Sequence, residues 1–431
     1  MGKKMTKAAG LGVVLMALLY TLACSAVRPH PSSPPSPPAT TPGTQPAPPS
    51  QPQPAPEVPA EWRALYQELS AELKAFEDVV KKGWNGSHSE VTIAVELAYA
   101  NGNAGEWLLS EQAWQYNLVL LDRLQEMGVK GVVIAIKFPL LEPYFPRSAE
   151  YLKFFKEITA ECQRRGLKVL VEGGAVFSGT PYSSVKVDWS RYSAESFLKG
   201  LQDELLLIAR EVKPDYLNLT NESLTQQWLT GFRIPPETWN SFVVDTLRQI
   251  DRSSGVLIGA GIGTWEPAEY IEGFFQMPGL DYIDLHIYPL HRNALYVERA
   301  LEYARRAKAA RKRLTVSESW LWKGMPEELG AGGLGDEKIM NRDAYGFWEP
   351  LDIWFIRNMV DLADATGTEF VSFFWTRNLF AYLEYGPATK NLSTIEINRA
   401  LNQAGLRNVL AGELSSLGKD FAALLYQRGV R

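Results

Sequence analysis

Cysteine is nearly missing from these 431 residues: only Cys24 and Cys162 are present. Two thiols cannot build a disulfide framework, so packing must carry the fold. Basic charge is in deficit too, with 44 Lys and Arg against 49 Asp and Glu, a net charge of −5 and a pI near 5.7. That leaves no footprint for a phosphate backbone, and no nucleic-acid partner is expected. Histidine is equally sparse, at four residues, and no His-rich spacing suggests a metal centre, so neither a metal nor a cofactor is expected. No Gly-x-Gly-x-x-Gly follows the first apolar run, which speaks against a doubly wound dinucleotide-binding sheet. What is present, 46% hydrophobic and 22% charged residues, is ordinary globular material with enough length for a substantial core.

The chain opens "MGKKMTKAAGLGVVLMALLYTLAC", with Lys3, Lys4 and Lys7 before an apolar stretch from Leu11 to Leu22. Residues 1–23 have the layout of a bacterial secretory signal. The ending "TLAC" resembles the lipobox of bacterial lipoproteins, with Thr21 where that family usually has Leu. The resemblance implies a lipidated Cys24, a membrane anchored partner surface and an extracytoplasmic location; a plain cleaved signal or an uncleaved anchor is the alternative. With Cys24 lipidated, Cys162 has no intrachain partner. Residues 24–60 are almost all Pro, Ser, Thr, Gln and Ala, a composition too poor in large apolar side chains to offset its ordering entropy. That segment reads as a disordered linker, and 61–431 as the single globular domain.

From Glu61 onward, short β-branched runs alternate with long amphipathic ones. Eight runs read as strands: 91–97, 131–138, 168–174, 216–222, 256–263, 282–289, 313–318 and 369–375. Helical patterns fill the intervals at 111–128, 149–166, 194–212 and 350–367, and an opening helix at 60–83 should pack outside the sheet or close its floor. Near-continuous apolar strands alternating with helices predict an α/β fold, a (β/α)8 TIM barrel. "GAGIG" at 259–263 reads as a tight strand end.

A barrel of this kind collects its chemistry at the C-terminal ends of its strands. Those ends carry Glu96, Lys137, Glu172, Asn221 with Glu222, His286 with Tyr288, Glu318 and Trp375. Several carboxylates on one rim repel one another unless neighbours or function compensate. An Asn-Glu pair ending the fourth strand, His-x-Tyr at the sixth, Glu at the seventh and Trp at the eighth resemble clan A glycoside hydrolases, the retaining β-glycosidases with a barrel and a 4/7 arrangement of carboxylates. The resemblance spans roughly 85–430. It implies Glu222 as acid/base, Glu318 as nucleophile, Asn221 on the sugar 2-hydroxyl, Tyr288 as the hydroxyl beside the nucleophile, and Trp375 as the platform under the sugar.

Retaining hydrolysis explains those residue types, since one carboxyl must protonate the leaving oxygen while another attacks the anomeric carbon from about 5–5.5 Å away. On this reading Glu318 is the ionised member, kept so by Tyr288, and the partner is a β-linked carbohydrate. Trp320 and Trp322, alternating in "ESWLW", line further subsites or pack as loop core; Trp107, Trp228 and Trp265 follow other strands and add to an aromatic mouth. Where many clan members carry Arg and His, this sequence offers Lys137 as a counter-charge and Glu172 as a hydroxyl ligand. His286 either contacts substrate or lines the barrel. Two other readings remain at this stage: a catalytically impaired carbohydrate-binding lipoprotein, and a metal-dependent barrel enzyme using Glu172, Glu222, His286 and Glu318.

Overall fold

A computed structural model describes residues 57–329 and 337–429. The expected signal, Cys24 and the Pro-rich linker lie outside the described residues. Eight parallel strands close in sequence order: β1 (Thr92–Glu96), β2 (Gly131–Ala135), β3 (Lys168–Glu172), β4 (Tyr216–Asn218), β5 (Leu257–Gly263), β6 (Tyr282–Ile287), β7 (Arg313–Ser319) and β8 (Phe370–Phe373). The ring is completed by β1 against β8, with Thr92 opposite Phe370. Each strand is nearly continuous in apolar or β-branched residues because helices cover its outer face and side chains fill the barrel within. The inner layer toward the floor packs Ala94, Val133, Leu170, Tyr216, Tyr282 and Phe370.

The glycine-rich run is strand interior rather than a strand end. Gly259, Gly261 and Gly263 alternate along one face of β5. A Cβ on Gly259 would lie 2.0 Å from the Tyr282 ring, and one on Gly261 would lie 1.8 Å from the Asp284 carbonyl. Their absent side chains admit β6 and its Tyr282 ring.

The helices follow the expected periodicity. α1 (Arg63–Gly83) lies outside the barrel against the helix Glu349–Thr366, whose buried Asn358 donates to the Leu73 carbonyl at 2.8 Å. The predicted helix over 194–212 is α-helical through Leu207 and continues as one π turn, Ile208–Val212. Two further helices, Thr394–Ala411 and Ser416–Gln427, complete the chain's described end. Residues from Glu57 onward form one compact unit. No helix among the described residues is long and apolar enough to cross a membrane.

Candidate active site

The mouth is assembled from the last residues of β3, β4, β6 and β7. Along β6, Tyr282, Asp284 and His286 share the inward face by the two-residue period of a strand, and Tyr288 follows just beyond. On β7 the same period would point Thr315 and Ser317 inward and Glu318 away. A register shift decides otherwise: Asp284 pairs with Thr315 but His286 pairs with Glu318, so β7 carries an extra residue there. Such a bulge re-aims the side chain that follows it. Glu318 accordingly reaches the mouth, where Tyr288 donates its phenolic hydrogen to Oε1 at 2.5 Å.

Glu222 arrives by a different route. Strand β4 stops at Asn218, the chain continues past Asn221, and Glu222 becomes the residue capping the short helix Ser223–Thr230. The side-chain oxygen of Asn221 accepts from the Glu222 backbone N–H at 2.8 Å, which leaves its amide nitrogen without a protein partner among the described residues. Glu222 receives the Thr225 hydroxyl at 2.6 Å on Oε2 and lies 2.8 Å from His286 Nδ1 through Oε1. One oxygen each of Glu222 and Glu318 and a ring nitrogen of His286 lie within 4.8 Å of one another.

His286 is the hub of the cluster. Its Nδ1 also lies 4.0 Å from Glu318, and its Nε2 lies 3.1 Å from the Ser317 hydroxyl and 3.3 Å from Glu172. Burial opposes a charge on the imidazole, but the neighbouring carboxyls, Glu318 and Glu172 foremost, prevail and hold it well above its usual pKa. Glu172 shows the reciprocal effect: burial opposes its charge, while His286, Lys137 and Ser317 together hold the carboxyl below its usual range. Lys137 is buried with Glu96, Glu172 and Glu204 in its electrostatic range, and closes no ion pair among the described residues.

Glu318 differs from expectation. Burial pushes its carboxyl up to about 8, against the pull of His286 and Tyr288, with Glu172 and Glu222 adding to the rise. Glu318 therefore holds its proton to a higher pH than an ordinary glutamate. Tyr288, raised by burial and by Glu318, stays a neutral donor.

The tryptophans divide. Trp320 and Trp322 are 1% and 3% exposed, so neither offers a free ring face: both pack as core at the end of β7. Trp375 is also largely buried, its indole N–H given to Asp343 at 3.0 Å and one face covered by the Arg377 guanidinium at 4.1 Å. Trp265 packs edge-on against Tyr288 at 5.8 Å and is only partly buried, whereas Trp228 is 50% exposed.

Several residues escaped sequence reasoning. Asp284 lies beneath His286, its carboxylate receiving Thr315, Ser317 and Asn218. Its two-residue spacing from His286 was the available signal. Glu266, fully buried beyond β5, and the Lys323–Asp343–Asp352 cluster were also missed. Two triads have metal-ligand proximity, Glu172–Asp284–His286 and Glu222–His286–Glu318. Most of their donor atoms are engaged: Asp284 is saturated by side-chain and backbone donors, and both ring nitrogens of His286 face hydrogen-bond partners, although Glu172 Oε1 has none. With Asp284 and both ring nitrogens of His286 so engaged, this donor set fits a metal poorly.

No protein-family model matches the chain, and no curated protein matches it. Among solved structures it is similar to the GH53 catalytic domain of Ignisphaera aggregans, at 16% identity and a TM-score of 0.42, covering 67% of this chain and 86% of that one. It is similar also to a GH5_18 protein of Bifidobacterium longum, at 15% identity and a TM-score of 0.45, covering 79% of each chain. A third likeness is to a GH113 beta-1,4-mannanase, at 10% identity and a TM-score of 0.43, covering 73% and 98%. Likeness at this level transfers no residue role.

Proposed function

We propose that this chain is a retaining glycoside hydrolase acting on β-linked glycans or oligosaccharides. The observation that carries the reading is the approach of Glu222 and Glu318, at the ends of β4 and β7, to within 4.8 Å. Carboxyls with oxygens inside that limit suit the retaining arrangement, in which the two groups stand roughly 5–5.5 Å apart, better than the ~6.5–9.5 Å that an inverting enzyme leaves for its water. One proton shared by the pair is what the chemistry requires. With a sugar bound, that proton belongs on Glu222, beside the leaving oxygen, while the hydroxyl of Tyr288, donating to Glu318, favours its carboxylate form. Glu318 then attacks the anomeric carbon, the glycosidic C–O bond breaks, and the leaving oxygen takes the Glu222 proton. In the second half, Glu222 as carboxylate takes a proton from water, which displaces Glu318 from the sugar.

Asn221, with its amide nitrogen uncommitted, is suited to a sugar hydroxyl, and Lys137 and Glu172 border the same space. The test is stereochemical. Wild-type enzyme on an aryl β-glycoside should release product of retained configuration, followed by NMR before mutarotation; inverted product sinks the assignment. With azide, Glu222→Ala should yield a glycosyl azide of retained configuration and Glu318→Gly one of inverted configuration.

The domain is proposed to stand outside the cytoplasm on a Cys24 lipid anchor and a Pro-rich spacer. Cys24→Ala should move the protein from the membrane to the soluble fraction, and unchanged fractionation would count against lipidation.

A further inference from the structure

Glu266 is a carboxylate with no surface exposure, placed three residues past the end of β5, and the chemistry above does not use it. Its two oxygens are each given a backbone donor. Oε2 takes the Gly263 N–H at 3.0 Å, and Oε1 takes the Leu224 N–H at 2.5 Å. Leu224 is the second residue of the helix that Glu222 begins. The first N–H groups of a helix need an outside acceptor, ordinarily the side chain of the capping residue itself. Here the capping residue is Glu222, and its side chain makes no capping bond. It is turned instead to Thr225 and His286. Glu266 supplies the missing acceptor from a neighbouring strand, and Glu222 is thereby free to face the cleft.

The support is itself fixed. The turn from Gly263 to Glu266 is closed by the Glu266 N–H on the Gly263 carbonyl at 2.9 Å. Arg299 grips its outer side through the Thr264 and Glu266 carbonyls at 3.2 and 3.3 Å. The Thr264 N–H donates to the His286 carbonyl at 3.0 Å. The same turn therefore registers both the backbone behind His286 and the helix behind Glu222, the two groups that meet at 2.8 Å.

We propose that Glu266 is a positioning residue for the acid/base, holding Glu222 against β5 by capping the Glu222 helix in its place. This rests on the glycosidase reading. A carboxylate fits the task because both of its oxygens accept. In Glu266→Gln one oxygen becomes an NH2 group that meets a backbone N–H donor to donor, so the tether fails while size and shape persist.

The experiment compares leaving groups. Displacing the proton donor costs most where the leaving oxygen is basic, by up to about 10²–10⁴-fold, and little where the leaving group departs unaided. Glu266→Gln should lose kcat/KM, which reports the step that needs the proton, at least ~30-fold more on an alkyl β-glycoside than on the dinitrophenyl β-glycoside of the same sugar. Equal losses on both substrates would mark Glu266 as merely structural and overturn the proposal. A second measurement needs neither substrate nor variant: the Leu224 amide of the wild-type protein should exchange with solvent slowly by NMR, and exchange at the rate of an unprotected amide would also overturn it. Wild-type enzyme inert on every β-glycoside would instead remove the glycosidase reading, leaving the exchange result to judge the tether.

Discussion

Two buried charge clusters sit five residues apart along the end of β7, and they are built on opposite rules. Around Lys323 the books close. Its ammonium reaches Asp343 at 2.5 Å and Asp352 at 2.6 Å, Trp375 donates to the other oxygen of Asp343, and Tyr382 donates to the other oxygen of Asp352. Around Glu318 they do not. Two carboxyls share the space with one imidazole, a buried oxygen of Glu172 has no hydrogen-bond partner, and the amide nitrogen of Asn221 is uncommitted. Burial raises acids in both clusters, Asp352 to about 7 and Glu318 to about 8. The difference lies in what meets them. A lysine with two acids is an anchor for the loop carrying Asp343, whereas acids left facing one another hold their polarity ready for a ligand.

The contrast can be broken most severely at the open cluster. Glu318→Gly should take turnover below detection, and Glu222→Ala should cost on the order of 10²–10⁴-fold on substrates that need protonation of the leaving group. Neither should lower Tm, because relieving like charges in an active site commonly adds stability. A large fall in Tm for either variant would place it with the closed cluster.

The converse holds for Lys323→Met. Stranding Asp343 and Asp352 without their cation should destabilise the fold by about 3–5 kcal/mol, measured by denaturant titration. A loss under about 1 kcal/mol would mean that the two acids simply take up protons.

The pH profile sharpens the comparison from the open side. The pair must keep one proton to act, and its raised member sits near 8. kcat/KM should therefore hold through neutrality and fall as pH rises past about 8, when the last proton leaves and no acid remains. An alkaline limb that persists unchanged in Glu318→Asp would belong to another group.

The smallest effect falls on Trp375, which donates to the closed cluster. Trp375→Phe keeps a ring at the end of β8 but deletes the N–H to Asp343, and should cost about 1 kcal/mol of stability. A severalfold rise in KM would accompany it if the ring supports sugar, and an unchanged KM would assign Trp375 to the closed cluster alone.

Much of this was legible in the chain. All eight apolar runs became strands, because a parallel barrel buries both faces of each and its sequence must say so locally. Glu172, His286 and Glu318 were found at or next to strand ends, since polar residues after a buried run mark where the run emerges; Glu222 lies four residues beyond the end of β4 and Tyr288 one beyond β6. Facing is another matter. The two-residue period points Glu318 away from the cleft, and only a bulge formed by pairing β7 with β6 turns it in. Trp320 and Trp322 alternate as a cleft wall might, yet packing of the loop after β7 buries both. Glu266 caps a helix 42 positions earlier in the chain, a relation with no local pattern to betray it. The sequence alone determined the strands and their order, because burial along a strand is written residue by residue; tertiary structure decided where several of them stop and which side chains face one another, because register, bulges and borrowed caps exist only once the barrel has closed.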